Sequence, residues 1–331
     1  MGFLKPIDLE AQAPKFAGKV AMEAADFIWR NGKMVAWDEA RVHVMSHALH
    51  YGSSVFEGVR SYSTPQGRVI FRLREHIRRL FDSAKIYRMK IPYSQEEMCQ
   101  ACRDIIQINQ LQHAYIRPLV FMGVGSLALG GLQDCKTEVA VAAYEFGAYL
   151  GQQGIEDGID ACVSSWTRPT SASVPALAKA GGHYLNAQLI CTEANRNGYL
   201  EGISVSGQGL VSEGSGENIF VIRDGKIYTP PLASSILGGI TRDAVMKIAT
   251  TLGYTVAEES IPREVLYIAD EIFLTGTAAE VTPVKSVDQL DVGEGKPGPI
   301  TQAIQEVFFG LFDGSQADQW GWLDRVESTT P

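Results

Sequence analysis

The stretch V-P-A-L-A-K-A-G-G-H-Y-L-N, Val174–Asn186, constrains the fold of this chain most. Its lysine, Lys179, is set among Ala176, Ala178, Ala180, Gly181 and Gly182, and no carboxylate stands within ten residues on either side. Any fold must leave open space beside this lysine, because a buried charge without a partner is costly. Small neighbours provide that space by letting another body come close. An amine in apolar surroundings is a nucleophile toward carbonyls, the chemistry of a Schiff base. The plain alternative is a surface lysine on a loop. The rest of the chain decides between them.

With 331 residues the chain has room for two domains and a sizeable core. A net charge of −9, from 29 basic and 38 acidic residues, argues against a nucleic-acid or anionic-membrane surface. No apolar run is long enough to span a bilayer. Residues 1–24 read as a loosely attached extension without the apolar core of a signal peptide. Pro6 stands where a myristoylation signal wants Ser or Thr. The five scattered cysteines do not form a disulfide framework. A cytoplasmic enzyme is expected.

Regular structure is predicted from Asp26. Phe27–Trp29 and Met34–Trp37 flank Asn31-Gly32 as a hairpin. Val42–Val44 reads as a short strand, and His43, His47 and His50 raise a metal site that the missing carboxylate ligand argues against. Phe56–Tyr62 and Val69–Leu73 alternate as strands, Arg74–Met89 has helical periodicity, and Ser94 with Glu97 makes a capping box for the next helix. Cys99 and Cys102, mid-helix, read as half-buried thiols and not a redox pair. Ala114–Met122 is a buried strand whose Arg117 needs an anionic partner. Gly123–Ala128 resembles a dinucleotide fingerprint but lacks the helix after it, and is read as a loop. Val139–Tyr144 is a strand and Gly147–Gly158 a connection, which places the boundary near residue 152 between a small domain, 25–152, and a large domain, 153–331.

In the second half, Ile159–Ser165 is a strand and His183–Asn195 a helix. Ile203–Val205 and Gly209–Val211 lead into an acidic Gly-rich turn, Ser212–Asn218. A hairpin follows around Asp224-Gly225, and then a glycine-preceded helix, Asp243–Leu252, whose free N–H groups suit a phosphate. Arg263–Ala269 reads as helical, Glu271–Leu274 as a strand, Thr275–Glu280 as a second small-residue turn and Gly298–Phe312 as a helix. A nucleophilic lysine, an acidic turn, a helix-start cradle and a second donor-rich turn together suit a phosphorylated aldehyde whose ring nitrogen stays protonated. Pyridoxal 5'-phosphate has that profile.

Read with VHVMSHALHYGSSVFEGVR, REHIRRLFDSAKIYR, AYIRPL, AKAGGHYL, VSEGSGENIF, LGGITRD and LTGTAAEVTPV, the chain resembles the bacterial branched-chain amino acid aminotransferases from Asp26 to Val326. It departs from the usual pattern at His183, where Asn is common, and at Val205-Ser206-Gly207, where many members carry Asp. The resemblance implies an α/β (α+β type) two-domain fold, fold-type IV and D-amino acid aminotransferase-like, with the large domain binding pyridoxal phosphate. It implies a transaminase moving the amino group of Leu, Ile or Val to 2-oxoglutarate; D-amino acid aminotransferase and aminodeoxychorismate lyase share the fold.

By the same resemblance Lys179 carries the cofactor and moves the proton, Glu213 pairs with the ring N–H, and Tyr184 bonds the phenolate oxygen. Arg79, Ile240, Thr241 and Thr277 hold the phosphate, with Leu237 and Gly239 also at the cofactor. Tyr115, Ala278 and Ala279 receive the substrate α-carboxylate. Phe56 and Tyr184 line the aliphatic pocket, while Tyr51, Arg117 and Tyr149 face a glutamate carboxylate. Glu217 is left a structural role, since only one carboxylate can reach the ring nitrogen. Tyr51 and the loop around Leu127 reach the site of a neighbouring subunit. The assembly is thus expected to be at least a dimer, with a hexamer open.

Overall fold

The computed structural model describes residues 24–147 and 149–326, so the predicted extension 1–24 lies, apart from Ala24, outside the described residues. Strands β1 (Phe27–Arg30) and β2 (Lys33–Ala36) pair around Asn31 and Gly32. Both turn residues are left-handed, at φ 48° and 86°, which matches a two-residue turn to the twist of the strands. No strand forms at Val42–Val44. The segment is an exposed loop with no neighbouring edge to pair with, so its β-branched residues have nothing to pack on. Helix α1 (His47–Tyr51) follows, then β3 (Ser54–Phe56), β4 (Val59–Thr64) and β5 (Gly67–Phe71).

Helix α2 (Leu73–Ile86) turns Leu73, Ile77, Leu80 and Ala84 inward at helical spacing. Helix α3 (Gln95–Ile108) begins with the expected box: Ser94 Oγ accepts the Glu97 N–H and Glu97 Oε2 accepts the Ser94 N–H. Its Met98, Cys102, Ile105 and Ile106 meet the α2 stripe over Val59, Ile116 and Val139 of the first sheet. Each such side chain contributes about 1.5–3 kcal/mol on full burial. The long strands β6 (Ala114–Met122) and β7 (Thr137–Glu145) complete this half.

The connection 147–158 contains a helix that the sequence did not announce, α4 (Gln152–Asp157), held between Gly151 and Gly158 at φ 80° and 83°. Then come β8 (Ile159–Thr167), α5 (Tyr184–Arg196), β9 (Glu201–Val205), and the hairpin of β10 (Asn218–Arg223) and β11 (Lys226–Thr229). Gly209–Val211 forms no named strand; Val211 makes only an isolated bridge to Val205. Helix α6 (Ile240–Thr251) starts at Ile240 and not at Asp243, since Gly239 ends the turn before it. Strand β12 (Val256–Glu258) follows. The predicted helix at 263–269 is a short 3₁₀ segment, Arg263–Tyr267, followed by β13 (Glu271–Gly276), β14 (Glu280–Val287), β15 (Leu290–Asp291), α7 (Pro299–Asp313) and β16 (Leu323–Arg325).

Two eight-stranded sheets result. The first runs β16-β5-β4-β6-β7-β1-β2 with β3 beside β6, and its pairs are antiparallel. The second runs β12-β11-β10-β13-β14-β8-β9 with β15 on β14, and mixes parallel with antiparallel pairs. This is the α+β architecture. Two further cores serve the second half. In one, Phe220 and Phe273 meet α6 and α7, and it takes in Tyr62 and Phe71 of the first sheet. Arg60 of β4 also reaches across, to Glu280 Oε2 at 3.0 Å and to the Gly147 carbonyl. Both halves thus share apolar and ionic contacts, and the cleft lies where they meet.

The capping box is open to a direct check. Ser94→Ala should lower unfolding free energy by about 1 kcal/mol, read as a shift of the denaturant midpoint, and Ser94→Asp should recover most of it.

Candidate active site

Lys179 is fixed through its backbone by the first half of the chain. Its N–H donates to Ser83 Oγ on α2 at 2.9 Å, its carbonyl accepts the Phe56 N–H at 3.0 Å, and Ala180 bridges Val55. The side chain is half-buried. Nζ lies 2.7 Å from Tyr184 Oη and about 5 Å from the rings of Phe56 and Tyr184. Tyr184 is the first residue of α5, and a single 3₁₀ turn, Gly181–His183, separates it from the Lys179–Ala180 segment.

Glu213 is buried at 5 % exposure. Its Oε2 accepts the Asn218 amide and the Leu237 N–H, both at 3.0 Å, and Oε1 accepts Arg168 Nη2. Burial pushes its carboxyl above the ordinary range, against the pull of Arg168 and the Leu237 N–H. Lys179, Tyr184, Glu213 and Leu237 line one cleft of about 430 Å³, together with Arg168, His183, Gly216, Glu217 and Asn218.

Arg79, on α2 one turn before Ser83, grips Glu57 with two bonds of 2.7 and 2.9 Å. Its Nη1 donates to the Gly238 carbonyl at 2.8 Å, which ties it to the turn that opens α6. Glu57 is fully buried and also meets His76 Nδ1 at 2.8 Å. Burial alone would raise its carboxyl, but Arg79 and His76 more than offset that and hold it well below the usual range. Gly239 caps α6 without any side-chain bond, so the first N–H groups, at Ile240 and Thr241, keep no capping partner. A Cβ at Gly239 would lie 1.9 Å from Asn218 Oδ1, so only glycine fits that approach.

A second cleft of about 720 Å³ shares Lys179, Tyr184, Gly216 and Glu217 with the first. Phe56, Tyr115, Arg117, Tyr149, Thr277 and Ala278 line it. Phe56 packs against Tyr184 with ring centres 4.9 Å apart. A Cβ at Gly58 would lie 1.8 Å from Tyr115 Oη, so this glycine makes room for the hydroxyl. Arg117 meets no carboxylate among the described residues. Its guanidinium lies 4.6 Å from the Phe56 ring centre and 5.1 Å from that of Tyr115, and its charge is turned toward the cleft. Ala279 is buried behind Ala278, with its carbonyl accepting Thr282 Oγ1.

Of the predicted residues, Lys179, Tyr184, Glu213, Leu237, Phe56, Tyr115, Arg117, Tyr149, Thr277 and Ala278 line the two clefts, whereas Arg79, Gly239, Ile240, Thr241 and Ala279 do not. Tyr51 lines neither cleft; it is exposed on α1, where its hydroxyl donates to the Leu127 carbonyl at 3.1 Å. Sequence reasoning missed Arg168, Asn218, Glu57, Tyr144 and Phe146. Of these, Tyr144 had a signal: it pairs with Tyr115 across β6 and β7. No group of three metal-ligating side chains exists among the described residues. Of the three histidines, His47 bonds to Ser53 and His50 to the Val44 carbonyl. Cys99 and Cys102 belong to the core; burial pushes Cys99 up to about 11 and Cys102 well above its usual value.

The donor set suits a phosphorylated pyridine aldehyde. An amine, a buried carboxyl beside it and an arginine at an uncapped helix start supply its carbonyl, ring and phosphate partners. Comparison with known proteins gives the same result. Residues 54–287 match the family Amino-transferase class IV. The branched-chain-amino-acid aminotransferase of Escherichia coli (strain K12) is 55% identical over 302 residues, which covers 91% of this chain and 98% of that one. A crystal structure of the Escherichia coli branched-chain amino acid aminotransferase superposes with a TM-score of 0.90, covering 92% of this chain and 100% of that one. The branched-chain amino acid aminotransferase from Thermobaculum terrenum, solved in its PLP-form, is 35% identical with a TM-score of 0.86 and covers 92% of this chain and 100% of its own. Chance likeness does not extend over whole chains at such identity, and the chain belongs to the class IV amino-transferases, in the family of the branched-chain amino acid aminotransferases.

Proposed function

We propose that the protein transfers the amino group of Leu, Ile or Val to 2-oxoglutarate, giving the branched 2-oxo acid and L-glutamate, with pyridoxal 5'-phosphate as cofactor. The observation that carries this reading is the meeting of Lys179, Tyr184 and Glu213 in one cleft beside Arg79 and the start of α6. When bound, the cofactor supplies an electron sink for the bond broken at the substrate's α-carbon. The chain's own residues do the rest. Lys179 Nζ holds and returns the mobile proton, and Tyr184, 2.7 Å away, keeps it aimed. Glu213 provides the negative partner for a ring N–H, steadied by Arg168 and Asn218. Arg79, Ile240, Thr241 and Thr277 take the phosphate, with Leu237 and Gly239 shaping the approach.

Tyr115 and the turn at Ala278 and Ala279 receive the α-carboxylate. An aliphatic side chain rests on Phe56 and Tyr184, while Arg117 and Tyr149 meet the side-chain carboxylate of glutamate. The unpaired charge of Arg117 in the cleft supports this dual pocket, since apolar contacts alone cannot hold both substrates. The large segment 153–331 carries the cofactor, the small segment 25–152 much of the substrate pocket. No helix among the described residues is long and apolar enough to cross a membrane, in keeping with a cytoplasmic enzyme. Tyr51 sits away from its own cleft amid exposed Val44, Leu49, Leu127 and Leu129, which supports a dimer in which Tyr51 serves the neighbour.

Borohydride reduction of the holoenzyme followed by peptide mapping should place the pyridoxyl label on Lys179; a label on another lysine overturns the assignment. Glu213→Gln should cut kcat by roughly 10²–10⁴-fold while circular dichroism stays native. Arg117→Leu should raise KM for glutamate and 2-oxoglutarate by roughly 10- to 150-fold, the loss of a hydrogen bond to a charged group, and leave leucine little affected. Equal losses on both substrates would make Arg117 structural, and a fully active monomer would refute the shared site.

A further inference from the structure

Glu217 lines both clefts and has no assigned chemical role. It is 5 % exposed, and its side chain is hydrogen-bonded to that of Glu201, at the start of β9 and 1 % exposed. Two ionised carboxylates only accept, so a hydrogen bond between them requires a proton. The backbone around the pair shows where it sits. Glu201 Oε1 accepts two backbone N–H groups, from Gly202 at 2.7 Å and Ser215 at 3.0 Å. Glu217 Oε2 accepts one, from Gly216 at 3.0 Å. Glu201, with more backbone donors, therefore keeps the charge, and Glu217 keeps the proton.

All of these bonds act on one turn. Ser215 and Gly216 hang on the two carboxyls, the Gly214 N–H donates to the Glu217 carbonyl at 2.7 Å, and Asn218 closes the turn onto Glu213. A Cβ at Gly276 would lie 3.5 Å from Glu217 Cγ, so the same side chain also abuts the strand that leads into the Thr277–Ala279 turn.

We propose that Glu217 and Glu201 share a single proton, and that this carboxyl pair is a positioning device that shapes the turn 213–218 so that Glu213 faces the cofactor ring. The proposal rests on the assignment of Glu213 given above. The groups that face the pair are Glu213 on the same turn, Tyr149 after β7 and Cys191 on α5, with Lys179 across the cleft. Burial, joined by the charge of Glu201, pushes the Glu217 carboxyl well above its ordinary value of 4.5. The folded chain thus keeps a proton that the unfolded chain gives up, and its contribution to stability is full at acid pH and falls as pH rises through that window.

The test uses the holoenzyme of the wild type, Glu217→Gln and Glu217→Leu, melted at about pH 6 and about pH 9, with bound cofactor read from its visible absorbance. Glutamine keeps both bonds: its amide donates to Glu201 and its carbonyl accepts the Gly216 N–H. E217Q should therefore retain cofactor and lose part of the fall in Tm that the wild type shows between the two conditions. E217L removes the acceptor of the Gly216 N–H and the donor to Glu201, and should weaken cofactor affinity by roughly tenfold or more. The same drop in Tm for wild type and E217Q, or cofactor loss as severe in E217Q as in E217L, overturns the proposal. A mild Glu213→Gln phenotype alongside a changed Tm slope in E217Q would count against the role of Glu213 alone.

Discussion

Glu57 carries a full negative charge with no exposure to solvent, and the active cleft is arranged around how that charge is met. A buried carboxylate is tolerable only when its lone pairs and its charge are both satisfied. Arg79 covers both oxygens and His76 adds a third bond. The arginine is thereby held rigid before any ligand arrives, because two of its donors are committed and a third ties it to Gly238. A cation fixed in this way costs little further entropy on meeting an anion. Glu57 lies on the link from β3 to β4, Arg79 on α2 and Gly238 before α6, so one buried charge sets the relation of three elements.

A second dependency runs through the backbone of Lys179. The reactive side chain belongs to the second half of the chain, yet its N–H is held by Ser83 and its carbonyl by Phe56, both from the first. Ser83 stands one helical turn beyond Arg79 on α2. The same helix therefore sets both the lysine backbone and the arginine, and a rotation of α2 would disturb both ends of the cofactor site. Its apolar stripe, Leu73, Ile77, Leu80 and Ala84, resists that rotation through the packing of the first core.

Much of this was legible in the sequence wherever the signal was local. The Asn31-Gly32 and Asp224-Gly225 turns, the Ser94 box and the periodicity of α2 are each decided within a few residues, and each formed as read. The motifs also named part of the lining of both clefts, such as Lys179, Tyr184 and Glu213, because those residues stand in short runs. What escaped was long-range pairing. Arg168 meets Glu213 across 45 positions, and nothing in the Thr167–Ser173 loop marks it. Glu57 and Glu201 carry no sequence sign that they are buried. Val42–Val44 failed in the opposite sense, since β-branched composition cannot supply a neighbouring strand. Arg117 was read as needing an anionic partner, and no carboxylate among the described residues meets it.

The edge strand β16 has a consequence for how such a chain is made. It pairs with β5, Arg103 grips Asp324 through two bonds, and the Val326 N–H reaches the Arg68 carbonyl. During synthesis β5 is finished long before β16 exists. At ~5–20 residues per second the ribosome needs on the order of ten to fifty seconds to deliver the partner. For that interval the first sheet shows an unpaired edge, a template for stray association. The last of the described strands to leave the ribosome is thus the one that seals the edge of the first sheet, and a transcript cut short before it would release a protein with that seam still open.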